Sequence, residues 1–332
     1  MMTHSLTPVR EQQRLRREED GGAREQKLGN HIRGGERQRA HVSVLVPEVL
    51  DMLSLKPGEL VVDATAGRGG HAEAMLKAAS VRVVALDADP ESVEASRERL
   101  SRFGERAAVL EANFRDIETV LNRAGASRID KALFDLGWNS TQLASGRGFS
   151  FMHDEPLDMS YGARPASGFT AAEIVNSWEE HVLADVFFGY GEERYARPIA
   201  RAIVERRADM PIESTDELVE IIRSAVPSRA RHGRINPATK TFQALRIAVN
   251  DELGSLEKGI RGAWNLLAPG GRIAVITFHS IEDRAVKNLL RELAADDAGR
   301  LLVKKPVVAS KEELTNNPSA RSAKLRGIEK LA

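Results

Sequence analysis

The stretch Val61-Val62-Asp63-Ala64-Thr65-Ala66-Gly67-Arg68-Gly69-Gly70-His71 decides the fold. Two β-branched residues end in an acid, a glycine-rich turn follows, and Ala72 to Ala79 has helix-forming composition. A strand, a tight loop and a helix start in that order bind nucleotide-like cofactors. The glycines let the backbone approach a ligand and take positive φ at low cost. A second strand-like run, Val81 to Leu86, ends in Asp87 and Asp89. An acid roughly 20 residues beyond the loop can accept hydrogen bonds from ribose hydroxyls.

Two cofactors compete for this loop. Gly67, Gly69 and Ala72 fit the G-x-G-x-x-G/A pattern, which keeps an NAD-dependent oxidoreductase open. Asp63 argues for the other: an anion at the strand end would face a pyrophosphate at close range. It suits the cationic methionine end of S-adenosyl-L-methionine, with Gly67 supporting the turn. A third reading is a turn whose glycines only permit tight packing.

Outward from the loop, Val44 to Leu55 predicts a short helix and Pro90 to Phe103 a second, with Pro in its first turn. Ala107 to Ala112 and Ile129 to Leu136 read as strands. After the turn Leu267-Ala268-Pro269-Gly270-Gly271 comes another, Arg272 to Phe278. Strands alternating with helices imply an α/β fold, a Rossmann-like parallel sheet with helices on both faces. Over a hundred residues with little strand signal separate the last two strands. They hold two capping boxes, Thr170-Ala171-Ala172-Glu173 and Ser214-Thr215-Asp216-Glu217. Residues 146–238 therefore read as a helical insertion. Residues 41–145 and 239–332 read as the cofactor-binding domain, and residues 1–40 as a disordered, Arg-rich tail.

The 332 residues carry 48 Lys plus Arg against 48 Asp plus Glu, so net charge names no partner and any nucleic-acid surface must come from local clustering. No apolar run approaches the roughly 20 residues that span a bilayer, and a polar N-terminus shows no signal peptide. Cysteine is absent, which excludes disulfides, thiolate metal sites and a cysteine nucleophile. No metal is expected, and a cytoplasmic location fits. A methyltransferase built this way favours a nitrogen or oxygen acceptor, which needs alignment more than covalent catalysis.

Several constellations carry chemistry. Asp135-Leu136-Gly137-Trp138-Asn139-Ser140-Thr141-Gln142 sits where amino-methylating enzymes hold their acceptor. Asp135 can bond the hydrogens of a delocalised exocyclic amine, and Ser140 is a further catalytic candidate. Trp138 either stacks on a flipped-out base or packs in the core. The insertion carries Arg194 and Arg197, then Arg229, Arg231 and Arg234. These read as phosphate contacts, or, where Glu192, Glu193 and Glu205 intervene, as a salt-bridged solvated face. His279 ends the last strand and is either a proton relay or structural.

Taken together, these residues resemble the bacterial 16S ribosomal RNA cytosine-N4 methyltransferases, from about His41 to about Lys330. The resemblance rests on Gly67-Arg68-Gly69-Gly70-His71, Arg147-Gly148-Phe149-Ser150-Phe151-Met152, Pro156-Leu157-Asp158-Met159, Tyr190-Gly191-Glu192-Glu193-Arg194, Thr241-Phe242-Gln243-Ala244-Leu245-Arg246-Ile247, Phe278-His279-Ser280-Ile281-Glu282-Asp283-Arg284 and Asn317-Pro318 with Ala320-Arg321-Ser322. It implies a class I fold and S-adenosyl-L-methionine contacts at Gly69, Gly70, His71, Asp87, Phe114, Asp135 and Gln142. It also implies a cytidine N4 acceptor in the decoding region of the small subunit, with Arg246 a further RNA candidate. The chain departs from that family at Trp138-Asn139-Ser140, where a small or aliphatic residue and two serines are usual, and at Ala64 and Ala66. A non-catalytic RNA-binding or ribosome-assembly protein is the remaining alternative. Oligomeric state is unreadable, a homodimer being one option.

Overall fold

Successive residues of the strands feed two different cores. The computed structural model describes residues 42–137, 145–233 and 236–331. In it Val61, Val83, Ala85, Leu133, Ala274 and Ile276 join one buried cluster, and Val62, Val84, Leu86, Ala132, Phe134, Ile273 and Val275 join another. A strand that alternates between two apolar clusters is buried on both faces, which is why these runs read as continuously hydrophobic. The first face is covered by helices Val46–Leu53, Gly70–Ala78 and Pro90–Leu100, the second by Ile117–Arg123, Glu252–Leu266 and Ser280–Leu293.

The strands are β1 Leu60–Asp63, β2 Arg82–Asp87, β3 Ala107–Glu111, β4 Ile129–Asp135, β5 Leu267–Thr277, β6 Gly299–Leu301, β7 Val307–Val308 and β8 Lys324–Lys330. Among the described residues they form one sheet in the order β3-β2-β1-β4-β5-β8-β6, with β7 on β8. The first five run parallel, and β8 lies antiparallel against β5. This is the class I S-adenosylmethionine-dependent methyltransferase architecture. The order reverses between β1 and β4, so the loops after those strands border a crevice.

One expected turn is a bulge instead. Leu267 pairs with Ile129 and Arg272 with Lys131, so Pro269-Gly270-Gly271 is looped out within β5. The three C-terminal strands gave no sequence signal: two are very short, and β8 carries five polar or glycine residues in seven.

Helices Ala171–Ser177, Glu180–Gly191, Ala196–Asp209 and Thr215–Ala225 enclose a separate apolar core around Ile174, Phe187, Ile199, Ile203, Leu218 and Ile222. Both expected capping boxes are formed. The core extends past residue 238: Phe242, Leu245 and Val249 of helix Thr239–Asn250 belong to it. That helix is thus shared between the insertion and the chain that returns to the sheet. Val42–Ala332 pack as one unit.

Candidate active site

The ends of β1, β2 and β4 meet around the glycine loop. Gly67 and Gly69 take φ of 52° and 76°, values that a side chain disfavours. A Cβ on Gly70 would collide with the Ser43 hydroxyl. The loop is fastened to the next strand by its acid: the Gly67 amide donates to Asp87 Oδ2 at 2.8 Å, and the Asp89 amide donates to Oδ1 at 2.9 Å. Burial pushes the Asp87 carboxyl up to about 6, the two amide bonds opposing it. Each carboxylate oxygen keeps a lone pair beyond these bonds, so Asp87 can still accept from a ribose.

Beneath the loop lies a triad. Asp63 is 0% exposed, and His71 is buried 3.4 Å (Nε2 to Oδ2) from Asp135. That contact is close enough for attraction yet not aligned as a hydrogen bond. Thr65 sets the spacing: its hydroxyl accepts from the Asp135 amide at 2.6 Å, and its amide donates to Asp63 Oδ1 at 3.3 Å. Among the described residues, Asp63 Oδ2, Asp135 Oδ1 and both ring nitrogens of His71 are buried without a hydrogen-bond partner. Buried polar atoms are rarely left unpaired, and four at one strand junction call for a ligand. Two carboxyls there fit a cationic group, as at the methionine end of S-adenosyl-L-methionine, and disfavour a pyrophosphate.

The same triad makes binding depend on pH. Burial raises Asp63 to about 6, with Asp135 and Asp87 adding to the rise and His71 and the Thr65 amide opposing it. Burial alone would lower His71, but Asp135, Asp63 and Glu313 outweigh it and hold it above its usual value. A cation favours ionised Asp63 and neutral His71, so binding releases protons. Affinity for S-adenosyl-L-methionine is expected to rise up to about tenfold per pH unit per released proton, the Asp63 contribution ending near pH 6 and the His71 contribution continuing above the usual histidine range. Calorimetry in two buffers of different ionisation enthalpy would show that release, and a flat profile from pH 5 to 7 would refute it. Stability runs the opposite way. Asp63 and Asp87 keep protons in the folded state that the unfolded chain releases above 3.8, so their contribution falls as pH rises from there to about 6.

Beyond Asp87 a cavity of about 290 Å³ opens between Ala88, Glu111, Ala112, Asn113 and Arg115 on the sheet side and Tyr161, Gly162, Arg164, Ala166 and Asn250 opposite. Its place just past the end of the strand that carries Asp87 leaves room for a planar ring. Phe114 does not offer its ring here: the ring packs edge-on to Phe134 at 5.7 Å and lies tightly against Gly259.

A family model described as the MraW methylase family matches residues 38–331. The chain belongs to the MraW methylase family. Curated relatives named "Ribosomal RNA small subunit methyltransferase H" are similar over most of its length. The one from Carboxydothermus hydrogenoformans is 48% identical over 309 residues, covering 88% of this chain and 98% of its own. Those from Geobacter sulfurreducens and Nostoc punctiforme are each 48% identical, covering 88% of this chain and 99% and 94% of their own. This methylase uses S-adenosyl-L-methionine as its cofactor, which displaces the NAD-dependent and the non-catalytic alternatives.

The structure brings Asp63, Gly67, Gly69, Gly70, His71, Asp87 and Asp135 together in the methylase. Trp138, Ser140, Gln142 and Arg234 lie outside the described residues.

His279 is given a structural task. It caps helix Ser280–Leu293, its Nδ1 accepting from the Glu282 amide while Glu282 returns a bond to the His279 amide. Histidine is not a usual cap residue, so no sequence signal marked this box.

Arg246 corrects the sequence reading. It is 8% exposed and forms a two-pronged pair with Glu252 at 2.7 and 3.1 Å, so it is not a phosphate contact. Arg231 donates to the carbonyls of Val226 and Ser224, closing the end of the preceding helix. Arg194 lies over the Tyr195 ring and, like Arg197 and Arg229, is exposed. Glu192 of the Tyr190–Arg194 motif accepts from Ser280 at 2.8 Å and pairs with Arg284, joining two motifs far apart in sequence.

Proposed function

We propose that this methylase acts on the small ribosomal subunit, methylating N4 of a cytidine in the decoding region of 16S rRNA (cytosine 1402 in the usual bacterial numbering). The observation that carries this reading is the 48% identity, over nearly the full length of the relatives, to enzymes named for the small-subunit RNA. The lack of cysteine supports direct transfer with no covalent enzyme intermediate. No helix among the described residues is long and apolar enough to cross a membrane, and the small subunit as substrate favours work in the cytoplasm.

S-adenosyl-L-methionine, when bound, supplies an electrophilic methyl group on a cationic sulfur. The protein's own residues do the rest. Asp63 and Asp135 offset that positive charge, and His71 between them holds their positions. Asp87 receives the ribose and, by its bond to the Gly67 amide, locks the loop. Asp135 Oδ1, buried and unpaired among the described residues, accepts from the exocyclic amine and concentrates its lone pair on nitrogen. Such placed acceptors act through alignment and electrostatics rather than bond formation. Residues 146–238 are the RNA-recognition part in this reading, and exposed Arg194, Arg197 and Arg229 meet phosphates.

The test is methyl transfer from labelled cofactor to 30S subunits lacking the modification, with nucleoside mass spectrometry. N4-methylcytidine at one decoding-region site is the expected product, and transfer to another atom or none would reject the assignment. Asp135→Asn is expected to lower turnover by about 10²–10³ while moving the melting temperature little. A rate equal to the parent's would remove Asp135 from the mechanism.

A further inference from the structure

The outer wall of the cavity beside Asp87 belongs to the insertion side of the chain, and two side chains hold it there. Asn250, buried at the end of helix Thr239–Asn250, donates to the Met159 carbonyl at 2.7 Å and accepts from the Tyr161 amide at 2.8 Å. Arg147 donates through Nη1 to the carbonyls of Ser160 and Tyr161, both at 3.0 Å. Its Nη2 stands 3.4 Å from Asp89, two residues beyond the ribose acid. The Arg147 guanidinium lies over Phe149, which stacks on Tyr161 at 5.5 Å and 10°. Met159 sits at φ 60°, a conformation that persists only where surroundings enforce it. Gly162 passes so near that a Cβ would stand 3.2 Å from the Ala88 carbonyl.

Met159 anchors one end of this wall in the insertion's core, while the bonds from Arg147 and Asn250 run to loop backbone and to Asp89. We infer that Arg147 and Asn250 are positioning residues that hold residues 159–162 as the outer wall of the pocket for the cofactor's adenosine half. This rests on the cofactor reading above. Arg147 bridges that wall to the segment bearing Asp87, so the width of the slot is set by one guanidinium. Its planar fork reaches two carbonyls and a carboxylate at once, which a lysine cannot do.

The test is calorimetry on the full chain with two probes. S-adenosylhomocysteine carries both halves of the cofactor, whereas 5′-methylthioadenosine carries adenosine without the amino acid. Arg147→Ala and Asn250→Ala are expected to weaken both ligands by the same factor, about tenfold or more, from the loss of two or more hydrogen bonds to the wall. Arg147→Lys should fall between them and the parent. Asp63→Asn, at the other end, should weaken S-adenosylhomocysteine alone. Gly162→Ala keeps every bond and displaces the wall by tenths of an ångström, so a several-fold loss for both probes at an unchanged melting temperature is expected even if the larger changes unfold the chain. Parent-like affinity of folded Arg147→Ala, Asn250→Ala or Gly162→Ala for 5′-methylthioadenosine would overturn the wall. A parent that binds neither probe would overturn the cofactor reading itself.

Discussion

Arg246→Ala is expected to destabilise the protein by about 3–5 kcal/mol, the cost of stranding one partner of a buried ion pair. Glu252 would keep only the Tyr161 hydroxyl, at 2.9 Å, in a site that burial already makes hostile to charge. Burial works against the Arg246 charge too, but Glu252, Tyr161 and Glu282 more than offset it and hold the guanidinium above its usual value. Tyr161 is held well above its own by burial, with Arg246 opposing and Glu252 adding to the rise. Arg246 therefore stays ionised, with a neutral phenol beside it. Urea denaturation of the purified variant checks this. A midpoint equal to the parent's would mean that the pair contributes nothing to folding. The same measurement separates a buried pair from a phosphate contact, since an exposed arginine on RNA would change affinity and salt dependence while leaving the midpoint in place.

Asp87→Ala is expected to weaken cofactor binding by roughly 2–4 kcal/mol, or about 30- to 1000-fold, through lost charge-assisted hydrogen bonds. Two effects combine. The ribose loses its acceptor, and the Gly67 and Asp89 amides lose theirs, so the loop is no longer held in the shape that receives the ligand. Asp87→Asn retains one oxygen acceptor and should fall between the two. Calorimetry with S-adenosylhomocysteine reads the result, and an affinity equal to the parent's would reject the ribose assignment. A large loss in the alanine variant with none in the asparagine variant would assign the effect to the loop alone.

The sequence by itself determined the parallel half of the sheet, its helices and the helical insertion, because their signals are local; the three C-terminal strands carry none. The run from Val61 to His71 specifies strand, loop and helix within a few residues. The continuous apolar runs that fill both faces of the sheet are likewise written along the parallel strands, and the boxes at Thr170 and Ser214 start their helices within four residues. The ligand class was legible for the same reason: Asp63 and Asp87 sit at strand ends, and strand ends in a parallel sheet converge.

Tertiary structure alone decided what depends on partners distant in the chain. Arg246 reads as a free cation until Glu252, the first residue of the helix that starts after the break at Asp251, is seen closing on its guanidinium. His279 reads as a candidate proton relay until Glu282 is seen completing a cap. Arg147 and Asn250 carry no sequence signal as cofactor-pocket residues, since an asparagine at a helix end is an ordinary cap and an arginine in a loop is ordinarily solvated. Their bonds to residues 159–161 span 13 to 91 positions. The unpaired atoms of Asp63, His71 and Asp135 belong to the same category, because whether a polar atom is satisfied depends on every element around it. A local pattern can state which groups a chain offers; only packing settles which of them are already taken.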